Sequence, residues 1–335
     1  MNGKERCLAA VAGGKADRTP LFPLTMGLAA DRAGIKYREY ASSGAALAQA
    51  QLLMRSRYGL DAITACSDAF RASADLGGEI LFPDDLPPHL AAPLIRDEGD
   101  LGRLHRPDPL KRGSRMRDRV DAVSEMLRAC GEECLVLGWV DLPFAEACSA
   151  CGVEPFLMML FDAPDLAHRI LDFMTSVVVD FAIAQLDAGC PMIGGGDAAA
   201  SLISPEFYRS FALPYEQRVF EAIKAKGGLG KLHICGNTSA LLEDMVQSGA
   251  DLYNVDHLVD FGRAAECYAK AGKAFKGNLD PVADFLQSDP DTCFRRTRSL
   301  IETAKGKPYL LSAGCEIPAA TADEVLDAFC GAALG

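Results

Sequence analysis

The segment GKLHICGN (residues 230–237) combines a short apolar run with the reactive residues that follow it, and this arrangement recurs along the chain. Its first five residues form a short apolar run typical of a buried strand, and residues with reactive side chains follow directly. The segment LLSAGCEIP (310–318) repeats this arrangement near the end of the sequence. Strands that are followed at once by functional residues are typical of parallel α/β folds, in which the carboxyl ends of the strands meet at one face.

Eight strand-like runs alternate with longer stretches whose apolar residues recur at helical spacing. They are TPLFPLT (19–25), LDAITA (60–65), CLVLGWV (134–140), PMIGGG (191–196), GKLHI (230–234), DLYNV (251–255), KAFKGN (273–278) and PYLLSAG (308–314). Such alternation predicts an α/β fold with a parallel sheet, and eight units in 335 residues favour a (β/α)8 TIM barrel. No compositional linker interrupts residues 1–335, so we expect a single domain.

Two segments fall outside the repeating β/α unit. The residues before the first strand predict a helical extension, and residues 68–133 are too many for one unit. Within them, EILFPDDLPPHLAAPLIRDEG (79–99) predicts a hairpin inserted after the second strand. The glycine run of GGGDAAAS (194–201) lacks the residues of a phosphate-binding loop, so Gly195 and Gly196 are expected to permit tight packing or a turn.

The composition and charge of the chain argue against several classes of protein. The net charge of −12 argues against binding to nucleic acid or to an anionic membrane surface. No apolar run approaches the ~18 residues of a membrane span, and the opening MNGKERCLAAVAGGK lacks the apolar core of a signal peptide. The 12 cysteines show no regular spacing, which is typical of reduced thiols. We therefore expect a cytoplasmic enzyme.

His233, Cys235 and Cys315 form the strongest chemical signal in the sequence. Residues two apart on an extended chain point to the same side, so His233 and Cys235 can bind one ion, and Cys315 adds a ligand from another strand end. One imidazole and two thiolates suit zinc, and three protein ligands leave a coordination position for substrate. Buried core thiols in a chance pattern, or a disulfide between Cys235 and Cys315, are the alternatives.

Polar residues after two other strands are further candidates. Asp256 and His257 follow the sixth strand, next to the fifth, and either is a candidate fourth zinc ligand beside water or none. For Asp256 a helix cap or a hydrogen bond to His233 is an equal alternative. Asp197, after the fourth strand, and Asp256 are the predicted substrate-binding residues, with a helix cap as the structural alternative for Asp197.

Four stretches carry a resemblance to a known family: KERCLAAVAGGKADRTP (4–20), GWVDLPFAEA (138–147), SLISPEFYRSFALPYEQRVFEAI (201–223) and GNLDP (277–281). Over its whole length the chain resembles the uroporphyrinogen decarboxylase superfamily. Within it, HICG followed by SAGCEIP resembles the branch of zinc-dependent methylcobamide:thiol methyltransferases of the coenzyme M type. The resemblance implies a TIM barrel with a zinc site at His233, Cys235 and Cys315.

One departure from the decarboxylases bears on substrate. Their arginine-rich W-x-M-R-Q-A-G-R-Y segment, which binds substrate carboxylates, corresponds here to FPLTMGLAADRAGIKY (22–37). Gly27 stands where the first arginine would fall, and only Arg32 is nearby. Because a substrate with many carboxylates needs several fixed cations, this departure disfavours decarboxylation of uroporphyrinogen.

The resemblance therefore implies transfer of a methyl group from a methylated corrinoid to a small thiol such as coenzyme M. The chain has no D-x-H-x-x-G segment for binding cobalamin, so methylcobalamin or a related corrinoid is expected on a partner corrinoid protein. Two alternatives remain open. One is a demethylase component that takes methyl from a methoxy, amine or halide donor, and the other is a non-catalytic partner that carries metal or binds the corrinoid protein.

Overall fold

The computed structural model describes residues 1–334. It contains nine strands: β1 (Ala62–Thr64), β2 (Ile80–Leu81), β3 (His89–Leu90), β4 (Leu135–Asp141), β5 (Met192–Gly196), β6 (Leu229–His233), β7 (Leu252–Val255), β8 (Ala274–Leu279) and β9 (Tyr309–Ala313). Seven of them form one parallel sheet in the order β1-β4-β5-β6-β7-β8-β9. Strands β2 and β3 pair separately as an antiparallel hairpin, in the segment for which the sequence predicts one.

Helices connect successive strands of the parallel sheet and surround it. The α-helices are Gly3–Val11, Gly27–Arg32, Tyr37–Ser42, Gly44–Tyr58, Arg71–Asp75, Glu98–Arg103, Arg115–Cys130, Pro143–Cys151, Val153–Asp162, Pro164–Asp187, Pro205–Phe207, Leu213–Ala225, Leu242–Met245, Phe261–Lys270, Pro290–Thr303 and Asp323–Leu334. Within residues 1–334 no single helix has the length and apolarity to cross a membrane, although the pair Pro143–Cys151 and Val153–Asp162, bent by 107°, has them jointly.

The parallel sheet curls until the same segment of chain contacts both of its edges. Leu21 and Leu24 form isolated parallel bridges to Leu311 and Glu316 at the β9 edge. On the other side, the amide of Asp61, just before β1, donates a hydrogen bond of 2.9 Å to the carbonyl of Leu21. The fold is therefore barrel-like, with the amino-terminal segment lying between the first and last strands of the sheet.

The prediction of eight regular strands is one too many, because the amino-terminal segment forms no regular strand. Seven regular strands are present in the parallel sheet of the described residues, because TPLFPLT (19–25) makes only bridges. Pro20 and Pro23 interrupt it, and a proline has no amide hydrogen to donate to a strand ladder. The other seven predicted runs each overlap one observed strand of this sheet, with ends that agree to within two residues.

The core lies on both faces of the curled sheet. Along β4, Leu135 and Leu137 belong to an inner cluster, whereas Val136 and Val140 pack against the surrounding helices. This alternation follows from the period of two of a strand. The amino-terminal helix contributes Cys7 and Ala10 to the inner cluster, so the helical extension closes the end of the sheet opposite the carboxyl ends of the strands.

The glycines of β5 permit close packing, as the sequence predicts. A Cβ added at Gly194 would lie 2.5 Å from the ring of Trp139, and one at Gly196 would lie 3.1 Å from it. A Cβ at Gly195 would lie 2.9 Å from the side chain of Leu142. The indole of Trp139 therefore occupies the space that side chains at Gly194 and Gly196 would need, and Leu142 occupies the space beside Gly195.

A buried pair of carboxyl groups lies directly after β5. Asp197 and Glu216 are both 0% exposed. Asp197 Oδ1 accepts a hydrogen bond of 2.7 Å from the amide of Ala145, and Glu216 Oε2 accepts one of 2.6 Å from the hydroxyl of Tyr208. Burial raises the pKa of Asp197 well above its usual value, with Glu216 acting in the same direction, and it raises the pKa of Glu216 to about 7. The second oxygen of each group, Asp197 Oδ2 and Glu216 Oε1, is buried without a hydrogen-bond partner. Both carboxyl groups therefore hold a proton more tightly than exposed carboxyl groups do.

This pair predicts a pH-dependent stability. Since the pKa of both groups is raised on folding, the folded state binds more protons than the unfolded state from about pH 4 upward. The free energy of unfolding therefore falls as the pH rises to about 7. Glu216→Gln removes one ionisation and keeps an acceptor for Tyr208. Between about pH 5 and pH 8 we expect this variant to lose roughly 1–3 kcal/mol less stability than the wild type in urea unfolding.

Glu302→Gln is the matched control, because Glu302 is a surface glutamate whose side chain is 55% exposed. Its urea-unfolding curves should show the same pH dependence as those of the wild type. If Glu216→Gln also follows the wild type across this range, the pKa of Glu216 is not raised by folding.

Candidate metal centre

The curl of the sheet brings His233, Cys235 and Cys315 together. His233 is the last residue of β6, and Cys315 follows the end of β9 by two residues. His233 Nε2 lies 2.9 Å from Cys235 Sγ and 3.7 Å from Cys315 Sγ, and the two sulfur atoms are 3.3 Å apart. The histidine is buried, and both cysteines are partly exposed, so the thiols form the open side of the cluster. We call these three residues the triplet.

The donor atoms of the triplet suit a zinc ion. Bonds of about 2.3 Å to sulfur and about 2.0–2.1 Å to nitrogen place the ligand atoms of a tetrahedral site roughly 3.5–3.8 Å apart. The observed separations of 2.9–3.7 Å reach that range with small outward shifts of the side chains. The sulfur–sulfur distance of 3.3 Å is far above the ~2.05 Å of a disulfide, and all twelve cysteines are free. Cys235 and Cys315 therefore form no disulfide in the described structure.

Contacts with β7 hold the loop that carries Cys315. Asn254 Nδ2 donates a hydrogen bond of 2.7 Å to the carbonyl of Gly314. A Cβ added at Gly314 would lie 2.5 Å from the amide nitrogen of His257, so only glycine fits against this backbone. Strand β7 thus positions Cys315 even though two strands separate β6 from β9 in the sheet.

Mutual hydrogen bonding shifts the pKa values of the two thiols in opposite directions. Hydrogen bonds from Cys235 and His233 lower the pKa of Cys315 to about 3. The hydrogen bond to Cys315, together with burial, raises the pKa of Cys235. Burial lowers the pKa of His233, which favours the neutral imidazole. The neutral imidazole and the Cys315 thiolate are the ionisation states that metal binding requires, and Cys235 would release its proton on binding.

Two buried lysines lie near the triplet. Lys231 Nζ lies 4.7 Å from the centre of a Trp139 ring, and Lys276 Nζ lies 3.9 Å from the centre of the Phe22 ring. Burial lowers the pKa of Lys231 to about 8 and that of Lys276 well below its usual value, while the thiols of Cys66 and Cys315 act in the opposite direction on both. In their protonated forms the two ammonium groups interact favourably with the thiolate of Cys315.

Sequence reasoning missed both lysines as site residues. The available signal was a lysine inside each of two otherwise apolar strand runs, GKLHI and KAFKGN. Both lysines are 1% exposed in the structure, and lysines are almost never buried to this extent without a compensating interaction.

The two candidates after β7 lie outside the triplet. Asp256 Oδ1 lies 3.1 Å from His257 Nδ1 and accepts a hydrogen bond of 3.0 Å from the amide of Leu258. In the described part of the chain, the metal-ligand type atoms that converge belong to the triplet alone. Asp256 thus stabilises the turn after β7 in this structure, and its role as fourth ligand or substrate contact stays a prediction, as does that of His257.

The amide of Asp197 donates a hydrogen bond of 2.8 Å to the carbonyl of His233, but the carboxyl group of Asp197 is not among the converging ligand atoms. Its carboxylate accepts from the amide of Ala145 in the first turn of helix Pro143–Cys151, so it caps a neighbouring helix. The helix that follows Asp197 in the chain receives no side-chain cap from it. A substrate contact by Asp197 stays a prediction.

Comparisons with known proteins agree with the resemblance seen in the sequence. The family model described as uroporphyrinogen decarboxylase (URO-D) matches residues 2–334. The uroporphyrinogen decarboxylase of Ralstonia pickettii (strain 12J) is 31% identical over 276 residues, which cover 78% of this chain and 73% of that protein. A methylcobamide:CoM methyltransferase of Methanosarcina acetivorans is 31% identical over 204 residues, covering 60% of this chain and 58% of that protein.

Solved structures show the same fold. A methyltransferase from Methanosarcina mazei superposes with a TM-score of 0.89 at 23% identity, covering 99% of this chain and 98% of that one. A B12-independent methionine synthase from Shewanella sp. W3-18-1 covers 87% of this chain and 85% of its own, with a TM-score of 0.59 at 12% identity. With a family model that matches nearly every residue, the chain belongs to the uroporphyrinogen decarboxylase family.

Proposed function

We propose that the protein is a zinc-dependent methyltransferase that moves a methyl group from a methylated corrinoid, carried by a partner corrinoid protein, to a thiol acceptor. The observation that carries the proposal is the convergence of one imidazole nitrogen and two thiols within 3.7 Å at the carboxyl ends of β6 and β9. Relatives named as methylcobamide:CoM methyltransferases support it.

The triplet would hold the zinc ion. When bound, zinc supplies a Lewis acid that stabilises the thiolate form of an acceptor sulfur at neutral pH. Cys235 and Cys315 as thiolates balance the two positive charges of the ion, so the acceptor thiolate adds one net negative charge. In their protonated forms Lys231 and Lys276, which both interact electrostatically with Cys315, would compensate that charge. The acceptor sulfur attacks the methyl carbon, the carbon–cobalt bond breaks, and its electron pair stays with cobalt.

The contacts of Arg32 argue against decarboxylation of uroporphyrinogen, because its guanidinium is already paired within the protein. Its Nε lies 2.7 Å from Asp323 Oδ1, and its guanidinium also donates to the carbonyl of Ala319. The arginine therefore ties helix Gly27–Arg32 to the carboxyl-terminal helix and is not available to bind substrate carboxylates. The segment that corresponds to the arginine-rich stretch of the decarboxylases therefore offers no free arginine for substrate carboxylates.

A demethylase component would use the same triplet to take methyl from a methoxy, amine or halide donor. Free thiols would not accept methyl in that case. A panel of acceptors offered with methylcobalamin therefore separates this second function from the first.

The first prediction of the proposed function concerns metal content. Purified without chelator, the protein should contain about one zinc per chain by atomic emission spectrometry, because the triplet provides a three-ligand site. Cys235→Ala and Cys315→Ala should each lower zinc occupancy at least about tenfold after dialysis against metal-free buffer. Cys267→Ala is the matched control, since Cys267 is a partly buried free thiol in helix Phe261–Lys270. Equal zinc in all four proteins would contradict the assignment of the ligands.

The second prediction concerns the ionisation of the acceptor. A free thiol has a pKa near 8.5 and is almost fully protonated at about pH 7, so binding as a thiolate must release close to one proton. Isothermal titration of the zinc-loaded protein in buffers of different ionisation enthalpy counts that proton. Cys315→Ala should abolish the release, while Cys267→Ala should preserve it. Thiol binding by the wild type without proton release would rule out this mechanism.

A further inference from the structure

A cavity of about 650 Å³ has Met26, Tyr37, Asp68 and Glu316 in its walls. No residue of the triplet lines it, but Glu316 follows Cys315 directly in the chain, and the Cys315 thiol acts electrostatically on the Glu316 carboxyl group. The cavity therefore lies next to the loop that carries Cys315. The volume lies within the ~300–1,000 Å³ range of small-molecule sites and leaves room for the part of an acceptor beyond its thiol.

The charged residues that line this cavity are all acidic. They are Asp31, Asp68, Asp85 and Glu316, and within residues 1–334 no lysine, arginine or histidine lines it. Three of these carboxylates have cationic partners outside the lining: Asp31 pairs with Arg32, Asp68 with Arg115 at 2.8 Å, and Asp85 with Lys36 at 2.9 Å. Asp31 and Asp85 lie at the rim, where their side chains are 56% and 66% exposed.

Glu316 differs from the other three carboxylates because it has no cationic partner. Its Oε1 accepts hydrogen bonds from the amides of Met26 and Gly27, which hold the side chain against the cavity wall. No residue in the described part of the chain donates a hydrogen bond to its second oxygen, Oε2. A carboxylate oxygen without a partner, in a cavity without cations, attracts a cationic donor and repels an anion.

We propose that the acceptor thiol carries a protonated amine, which Glu316 binds in this cavity, and that a sulfonate-bearing thiol is a poor acceptor. This inference rests on the proposed methyl transfer and specifies its substrate class as an aminothiol. A sulfonate in the same place would meet the carboxylate of Glu316 with no compensating cation.

Three thiols of equal length test the charge preference: 2-aminoethanethiol, 2-mercaptoethanol and 2-mercaptoethanesulfonate (coenzyme M). The measurement is kcat/KM for each with methylcobalamin and the zinc-loaded protein, followed by loss of the methyl–cobalt absorbance. We expect the ammonium thiol to exceed the sulfonate thiol by at least about tenfold, the size of one charge-assisted contact. Glu316→Gln should reduce that ratio about tenfold.

Comparing the ratio between proteins cancels the intrinsic reactivities of the thiols. Glu302→Gln, on the exposed surface, is the matched control and should leave the ratio unchanged. If Glu316→Gln fails to fold, the wild-type series alone decides the proposal.

A binding measurement without turnover separates this inference from the proposed function. Calorimetric titration of the metal-free protein with 2-(methylthio)ethylamine and 2-(methylthio)ethanesulfonate reports on the cavity alone. We expect the ammonium thioether to bind more tightly, and Glu316→Gln to remove the difference. Transfer to all three thiols with the sulfonate preferred would overturn the aminothiol proposal and leave methyl transfer standing. Preferential binding of the ammonium thioether with no transfer to any thiol would overturn methyl transfer and support the cation site.

Discussion

The parallel hydrogen bonding of the seven-stranded sheet is the constraint on which the rest of the structure depends. Because all seven strands run in one direction, the residues that follow them gather at one end of the sheet. The curl of the sheet then brings together residues from strands that are not neighbours. His233 on β6 and Cys315 after β9 are separated by two strands, yet their donor atoms lie 3.7 Å apart. A flat sheet of the same strands would hold these side chains too far apart to share an ion, since neighbouring strands are about 4.8 Å apart.

The site is organised around charge as well as distance. Each of the two buried lysines faces an aromatic ring and interacts favourably with the thiolate of Cys315. Burial of an ammonium group costs several kcal/mol unless an opposite charge compensates it. The thiolate offsets part of that cost, while burial still lowers the pKa of both lysines. The close packing of Trp139 against Gly194 places the ring over Lys231 and beside the buried imidazole of His233.

Relatives with different reactions are similar to this chain to the same degree. Relatives of this chain include decarboxylases and methyltransferases of similar identity, so the fold by itself does not select between the reactions. The selection lies in local features: which thiols meet at the strand ends, where Arg32 is engaged, and which charges line the cavity next to Glu316. These features involve few residues, and the barrel core can stay the same while they change.

By itself the sequence determined the alternation of strands and helices, the parallel sheet and the spacing of His233, Cys235 and Cys315, because strand period and local motifs are properties of short stretches. It also indicated the close packing at Gly195 and Gly196. Only the tertiary structure decided that TPLFPLT makes bridges and no regular strand, that Asp197 is buried beside Glu216, and that Asp256 faces His257. Only the curl of the sheet brought Lys276 on β8 and Cys315 after β9 close to His233 on β6. The physical reason is that the curl joins strands that are far apart in the chain, and no local pattern records which strand ends a curled sheet brings together.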